Sequence, residues 1–292
     1  MQANTDLQDS RLANAWAELH NYAVAGNPLH PDSYRLAFTD PEFMLRRETR
    51  GIRFQLELLK PDLEQAEQGI EHTVVVYGSA RFVAPEDATE QLTQARASGD
   101  AERIRRAERA VKNAFYYDQA RRFARLVADY SQTRPAAERI YICTGGGPGI
   151  MEAANRGAYE AGAPTIGLNI TLPHEQSGNR YITPSLSFKF HYFALRKMHF
   201  MMRAKAMAAF PGGFGTLDEL FEVITLVQTK KASPVPIILF GTDYWKRLIN
   251  FEALVEEGVI SAPDLDLFHF CDDPQEAWNH IQAFYATPTT PP

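Results

Sequence analysis

Two charged side chains, Glu219 and Arg196, and three glycine-rich turns are the features of this 292-residue sequence best suited to chemistry. Each turn follows a short apolar run: Gly78-Ser79, then Gly145-Gly146-Gly147-Pro148-Gly149, then Pro211-Gly212-Gly213-Phe214-Gly215-Thr216. Glycine lets the backbone come close to a ligand, and the N-terminus of the helix that follows offers free N–H groups and a partial positive charge, a combination that suits phosphate. A tight turn without a ligand gives the same local pattern, so one such turn says little; several facing one edge say more.

Both charged residues have a bland reading beside the chemical one. Thr216-Leu217-Asp218-Glu219 fits a capping box, in which Thr216 caps a helix and Glu219 bonds back to the cap; local pattern alone favours this. Gln would serve a cap nearly as well as Glu but cannot accept a proton or offset a cation. Arg196 and Lys197, in Phe193-Ala194-Leu195-Arg196-Lys197-Met198-His199, taken alone suit a solvated helix face. His199 has no partner at metal-ligand spacing, and no metal site is expected.

Other phosphate binders fit poorly. No G-x-x-x-x-G-K-[ST] occurs, which argues against a P-loop enzyme. Gly145-Gly146-Gly147-Pro148-Gly149-Ile150 lacks the last glycine of G-x-G-x-x-G, and Glu160 comes too early for the usual ribose contact, leaving a dehydrogenase as a weak alternative. Cys143 and Cys271 are too few for a disulfide framework or a four-ligand zinc site, and Cys143, inside an apolar run, reads as a buried thiol.

The elements that must position these residues alternate. Thr73 to Tyr77, Ile140 to Thr144, Pro164 to Ile170, Ala206 to Phe210 and Val235 to Phe240 read as buried strands. Ala206 to Phe210 is assigned by position, since its Ala and Met content favours helix. Between them lie two helical stretches over 85–131 broken near Ser98-Gly99-Asp100, a helix over Met151 to Ala161, a loop over 171–186 that could end in strand, a Met-rich helix near 191–204, and an amphipathic helix presenting Leu217, Leu220, Phe221, Ile224 and Val227. A last helical portion follows Phe240. The pattern predicts an α/β fold with a doubly wound, mostly parallel Rossmann-like sheet, whose ligands sit outside the carboxyl ends of the strands.

Residues 1–70 read as an N-terminal helical extension, 71–286 as the nucleotide-binding domain and 287–292 as a disordered tail. Within the extension, Asp40-Pro41 looks like an N-cap with proline at the first helical position, and Leu45, Ile52, Leu56 and Leu59 share a face expected to pack as an extra layer on the core, with an oligomer contact as the alternative. A net charge of −6 argues against a general nucleic-acid binder. With no signal-like start and no run of eighteen apolar residues, a cytoplasmic protein that does not enter a membrane is expected.

At Pro211 to Glu219 the sequence resembles the PGGxGTxxE signature of LOG proteins, the cytokinin riboside 5'-monophosphate phosphoribohydrolases often labelled lysine decarboxylase-like. Arg196-Lys197 resembles the family's Arg-Lys pair at the same separation, and Gly145 to Ala154 is similar to its second glycine-rich turn, so the likeness covers about residues 72–241. The resemblance implies a hydrolase that cleaves the N-glycosidic bond of a purine nucleoside 5'-monophosphate, with Arg196 and Glu219 as catalytic pair and no cofactor. Lys197, Gly212, Gly213, Phe214, Gly215, Thr216, Leu217, Asp218 and Thr225 would line the nucleotide site, with Ser79, Gly146 and Gly147 nearby. It also implies a homodimer or higher homo-oligomer. Phe193-Ala194-Leu195 before the Arg-Lys pair and the helical extension depart from the short members and resemble a longer bacterial branch, which brings AMP in beside N6-modified substrates. Pyridoxal chemistry needs a Schiff-base lysine, and the sequence singles none out. A nucleotide carrier or sensor of the same fold, without turnover, is the alternative.

Overall fold

The computed structural model describes residues 36–171 and 178–286. The chain divides into two units, residues 1–56 and 57–292. In the first, Asp40 caps a short helix, α1 (Pro41–Met44), by accepting from the Glu42 and Phe43 N–H groups, with Pro41 in the first turn as expected. Helix α2 (Arg50–Glu67) begins in the first unit and ends in the second. Its apolar face is not covered among the described residues: Ile52, Leu56, Leu59 and Leu63 are exposed, as is Leu45 before it. The four residues expected to share a packed face, Leu45, Ile52, Leu56 and Leu59, are thus exposed; their spacing shows amphipathicity, which does not say what covers the apolar side.

The second unit is built on a seven-stranded, wholly parallel sheet in the order β4-β3-β2-β1-β5-β6-β7. The strands are β1 (His72–Tyr77), β2 (Ile140–Thr144), β3 (Thr165–Ile170), β4 (Ser187–Phe190), β5 (Ala204–Ala209), β6 (Ile237–Phe240) and β7 (His269–Cys271). The doubly wound fold is as expected. The chain steps outward from β1 to β4 and then returns to the other side of β1 for β5, placing the topological switch between these two strands, where open parallel sheets bind ligands. Ala204–Ala209 is strand despite its helix-favouring residues, because pairing with β1 and β6 overrides intrinsic preference.

The helices are α3 (Pro85–Ser98) and α4 (Ala101–Gln132), α5 (Ile150–Glu160), α6 (Phe193–Met202), α7 (Phe214–Gln228), α8 (Thr242–Leu248), α9 (Phe251–Glu256) and α10 (Pro274–Ala286). Gly99, at φ +69°, ends α3, and the Asp100 carboxylate caps α4, so the break expected near Ser98-Gly99-Asp100 is real. The segment after Phe240 is not wholly helical, as β7 joins the sheet edge there; three residues are too short for a period-two pattern to show in sequence. The tail at 287–292 lies outside the described residues.

Side chains alternate across the sheet. Val74, Val76 and Ile142 pack with Phe123, Val127, Ile150 and Trp278 on one face. Val75, Tyr77, Tyr141 and Cys143 pack with Leu195, Phe200, Leu220 and Val223 on the other. That second face holds α6 and α7, the helices carrying Arg196 and Glu219.

Candidate active site

The three glycine-rich turns meet at the carboxyl edge of the sheet and are tied together by backbone. Phe210 N–H donates to Tyr77 O, Ser79 N–H to Pro211 O, and Ile150 N–H to Ser79 O, at 2.8, 3.0 and 3.0 Å. Ser79 thus links all three turns through its peptide, while its Oγ accepts from Arg81 N–H. Gly149, at φ +74°, lies so close to the first turn that a Cβ there would stand 2.2 Å from Ser79 O, so no side chain fits.

Gly146 N–H donates to the buried Thr144 hydroxyl, and the Asn179 amide donates to the carbonyls of Gly146 and Gly147. Asn155, fully buried on α5, accepts from Thr144 Oγ1 and from Asn179 and donates to Thr165 Oγ1. Such a satisfied polar network fixes the turn's shape. Asn155 and Asn179 were not singled out in the sequence, where an isolated Asn carries no signal of its partners.

The third turn runs directly into α7. The helix begins at Phe214 with Gly213 as cap residue, and its first internal bond is Leu217 N–H to Gly213 O at 3.1 Å. The N–H groups of Phe214, Gly215 and Thr216 therefore have no carbonyl within the helix to bond and face outward at its positive end. Tyr244 Oη donates to Gly212 O at 2.5 Å and steadies the turn. Thr216 folds back against Gly212, where a Cβ would meet Thr216 Oγ1 at 2.1 Å. Phe214 projects at the tip of the turn, 91% exposed.

The capping-box reading of Glu219 is overturned. Thr216 is not the cap residue, no side chain caps α7, and Glu219 lies in the second helical turn, 5% exposed. Its Oε1 faces Arg196 Nη2 at 3.4 Å. Burial pushes its carboxyl up to about 7 against the pull of Arg196 and Lys197. The Arg196 guanidinium lies 5.2 Å from the Phe193 ring centroid and 5.5 Å from that of Phe200. A Cβ on Gly145 would stand 3.7 Å from Arg196 Nη1, so the guanidinium bridges the second turn and Glu219.

Lys197 Nζ pairs with Asp218 at 2.9 Å and Glu222 at 2.7 Å. Burial disfavours its charge, but the two carboxylates more than offset that and hold it above the usual lysine range. These side chains border an open cleft of about 630 Å³ lined by Lys197, Phe214, Leu217, Asp218, Phe221, Glu222, Thr225 and Leu226. The cleft brings together Lys197, Phe214, Leu217, Asp218 and Thr225 of the expected residues; Arg196 and Glu219 lie buried and do not line it. Gly212, Gly213, Gly215 and Thr216, expected to line it, and Ser79, Gly146 and Gly147, expected nearby, are not among its lining residues. Phe221, Glu222 and Leu226 were missed, although Glu222 stands one helical turn beyond Glu219, a spacing that places the two carboxylates on neighbouring faces.

Fold and site together define a Rossmann-type α/β protein with a buried Arg–Glu pair one turn beyond a glycine-rich helix N-terminus. A family model described as "Possible lysine decarboxylase" matches residues 151–281. The chain is 28% identical over 158 residues to the probable cytokinin riboside 5'-monophosphate phosphoribohydrolase LOG4 of Oryza sativa subsp. japonica, covering 53% of this chain and 67% of that protein. It is 33% identical over 121 residues to cytokinin riboside 5'-monophosphate phosphoribohydrolase LOG3 of Arabidopsis thaliana, covering 40% of this chain and 54% of the relative. The likeness to the LOG family expected from Pro211 to Glu219 is thus shown, over about half to two thirds of the relatives' length. Among solved structures, the molybdenum cofactor binding protein of Rippkaea orientalis is similar at 17% identity with a TM-score of 0.45, over 73% of this chain and 95% of that one.

Among the described residues no group of three or more His, Cys, Asp or Glu is arranged to hold a metal ion, and no helix is long and apolar enough to cross a membrane.

Proposed function

We propose that this protein is a nucleoside 5'-monophosphate phosphoribohydrolase, which uses water to split a purine nucleotide such as AMP or its N6-modified forms into free base and ribose 5-phosphate. The observation that carries this reading is the buried Arg196–Glu219 contact one turn beyond the Gly212 to Thr216 cradle. The activity for which the relatives are named supports the same chemistry.

The 5'-phosphate docks on the free N–H groups of Phe214, Gly215 and Thr216, and this remote binding energy holds the sugar for cleavage. As the base leaves with the electron pair of its bond to C1' and gains a proton from solvent, positive charge grows on the ribose; the ionised Glu219 carboxylate stabilises it and takes a proton from the water that bonds to C1'. With its carboxyl pushed up to about 7, Glu219 is poised for proton transfer near neutral pH. Arg196 orients the substrate through its planar fork of donors. Phe214, Leu217 and Phe221, with Thr225 beside them, offer a largely apolar wall for the base. Ser79, Gly146 and Gly147 shape the neighbouring turns, and the family resemblance supports assembly as a homodimer.

A decarboxylase using pyridoxal fits poorly: the lysine at the cleft, Lys197, is held protonated between two carboxylates, whereas a Schiff-base lysine must be neutral to react.

Incubation with AMP, N6-substituted AMP and pyrimidine monophosphates, assayed for free base, tests the proposal. Adenine release that falls by at least about a thousandfold in Glu219→Gln with an unchanged far-ultraviolet spectrum is expected. Tight AMP binding with no base released would instead mark a nucleotide carrier.

A further inference from the structure

Buried hydroxyls are nearly always hydrogen-bonded, because leaving one unpaired forfeits its bond to water without replacement. Tyr77 departs from this. It is the last residue of β1, 5% exposed, and its Oη has no hydrogen-bond partner among the described residues. Phenylalanine would fill the same space without the penalty, so packing alone gives no reason for the hydroxyl.

Its surroundings supply one. The Tyr77 ring meets the Phe200 ring edge-on, with centroids 5.0 Å apart, and the Arg196 guanidinium lies 5.5 Å from the centroid of that same Phe200 ring. Arg196 Nε is also buried without a partner among the described residues, and the 3.4 Å Arg196–Glu219 contact is longer than the roughly 2.7–2.9 Å of a firm charge-assisted bond. Polar groups therefore converge here with fewer bonds than they can make.

The hydrolase mechanism sharpens the consequence. When Arg196 turns to the substrate, the buried Glu219 carboxylate loses its donor. The charged groups acting on Glu219 are Arg196 and Lys197 from α6 and Asp218 and Glu222 from its own helix; Lys197 is already engaged by the last two. Tyr77 feels Glu219, Cys143, Arg196 and Glu222, and among these side chains it holds the unspent hydroxyl donor. We propose that Tyr77 is a positioning residue, whose hydroxyl donates to the Glu219 carboxylate and keeps it ionised and oriented while Arg196 engages the substrate; this rests on the hydrolase reading of the site. Burial, followed by the nearby Glu219 charge, holds the phenol protonated well above its usual range, so it remains a donor throughout neutral pH.

The test is Tyr77→Phe, which keeps the ring against Phe200. A donor to the ionised form lowers a carboxyl's pKa, so its removal moves the acid limb of the kcat profile, which reports the substrate-bound enzyme, up by about one pH unit, with kcat at neutral pH reduced roughly tenfold and KM nearly unchanged. A lower Tm with an unmoved limb would overturn the proposal. A second measurement does not need turnover: carbon-13 NMR titration of the glutamate carboxyls, with and without saturating ribose 5-phosphate, the Glu219 signal identified by its loss in Glu219→Gln. The Glu219 midpoint should rise in Tyr77→Phe; the same midpoint in both proteins under both conditions would sink the idea whether or not AMP is cleaved. A shifted midpoint in a protein that releases no base would remove the hydrolase reading and leave the Tyr77–Glu219 bond standing.

Discussion

Glu219 is a carboxyl that the fold prefers protonated. Its value of about 7 lies above the ordinary 4.5, so its stabilising contribution is fully present below about pH 4.5 and is lost as pH rises through 7. Glu219→Gln keeps the shape without the charge, and should therefore gain on the parent between about pH 5 and pH 8, by up to about 3 kcal/mol. Thermal melts of both proteins at the two pH values check this; a constant difference would mean the carboxyl is not held in the buried, desolvated setting described. The same ionisation should set an acid limb near pH 7 in the rate of base release. Arg196→Met should cost about 3 kcal/mol or more above that pH, because it leaves a buried charge unpaired, and less below it. The local sequence could not separate these roles from helix capping and a solvated face, since both patterns use the same residue types.

The elements hold the pair in place by contacts of long sequence separation. Tyr192 is the cap position of α6 and supplies no side-chain cap; instead the Glu57 carboxylate on α2 accepts from the His191 and Tyr192 N–H groups at 3.1 Å. Further along α2, Asp62 pairs with Arg203 at 2.7 Å, just past the end of α6. The helix that carries Arg196 is thus clamped at both ends by α2. Glu57→Ala should destabilise by about 1 kcal/mol and lower kcat through a displaced Arg196, measured by urea unfolding and by the base-release assay. The glycines divide similarly. Gly149→Ala meets backbone at 2.2 Å with φ at +74° and should cost at least about 2 kcal/mol. Gly215 has open space around it and lies in the first turn of α7, so Gly215→Ala should fold as well as the parent; a raised KM for AMP without loss of Tm would fit a phosphate contact at that turn.

Across the whole molecule, most of the strands, the glycine turns at their ends and the helix after each were legible, because apolar runs, glycine and helical periodicity are properties of neighbouring residues. The resemblance at Pro211 to Glu219 is likewise a local word. A homodimer is proposed on that resemblance, and light scattering at twice the chain mass checks it; a monomer that cleaves AMP would remove it. What could not be read is what depends on which residues meet: that α7 starts at Phe214 and frees Glu219 from capping, that β7 joins the sheet, that α2 exposes its leucines while its polar groups hold α6, and that Tyr77 packs on Phe200, the ring that Arg196 also approaches. Hydrophobic pattern states which side of an element avoids water, but pairing and packing over more than a hundred residues choose its neighbour. Burial, and with it the proton affinity of Glu219, follows from that choice.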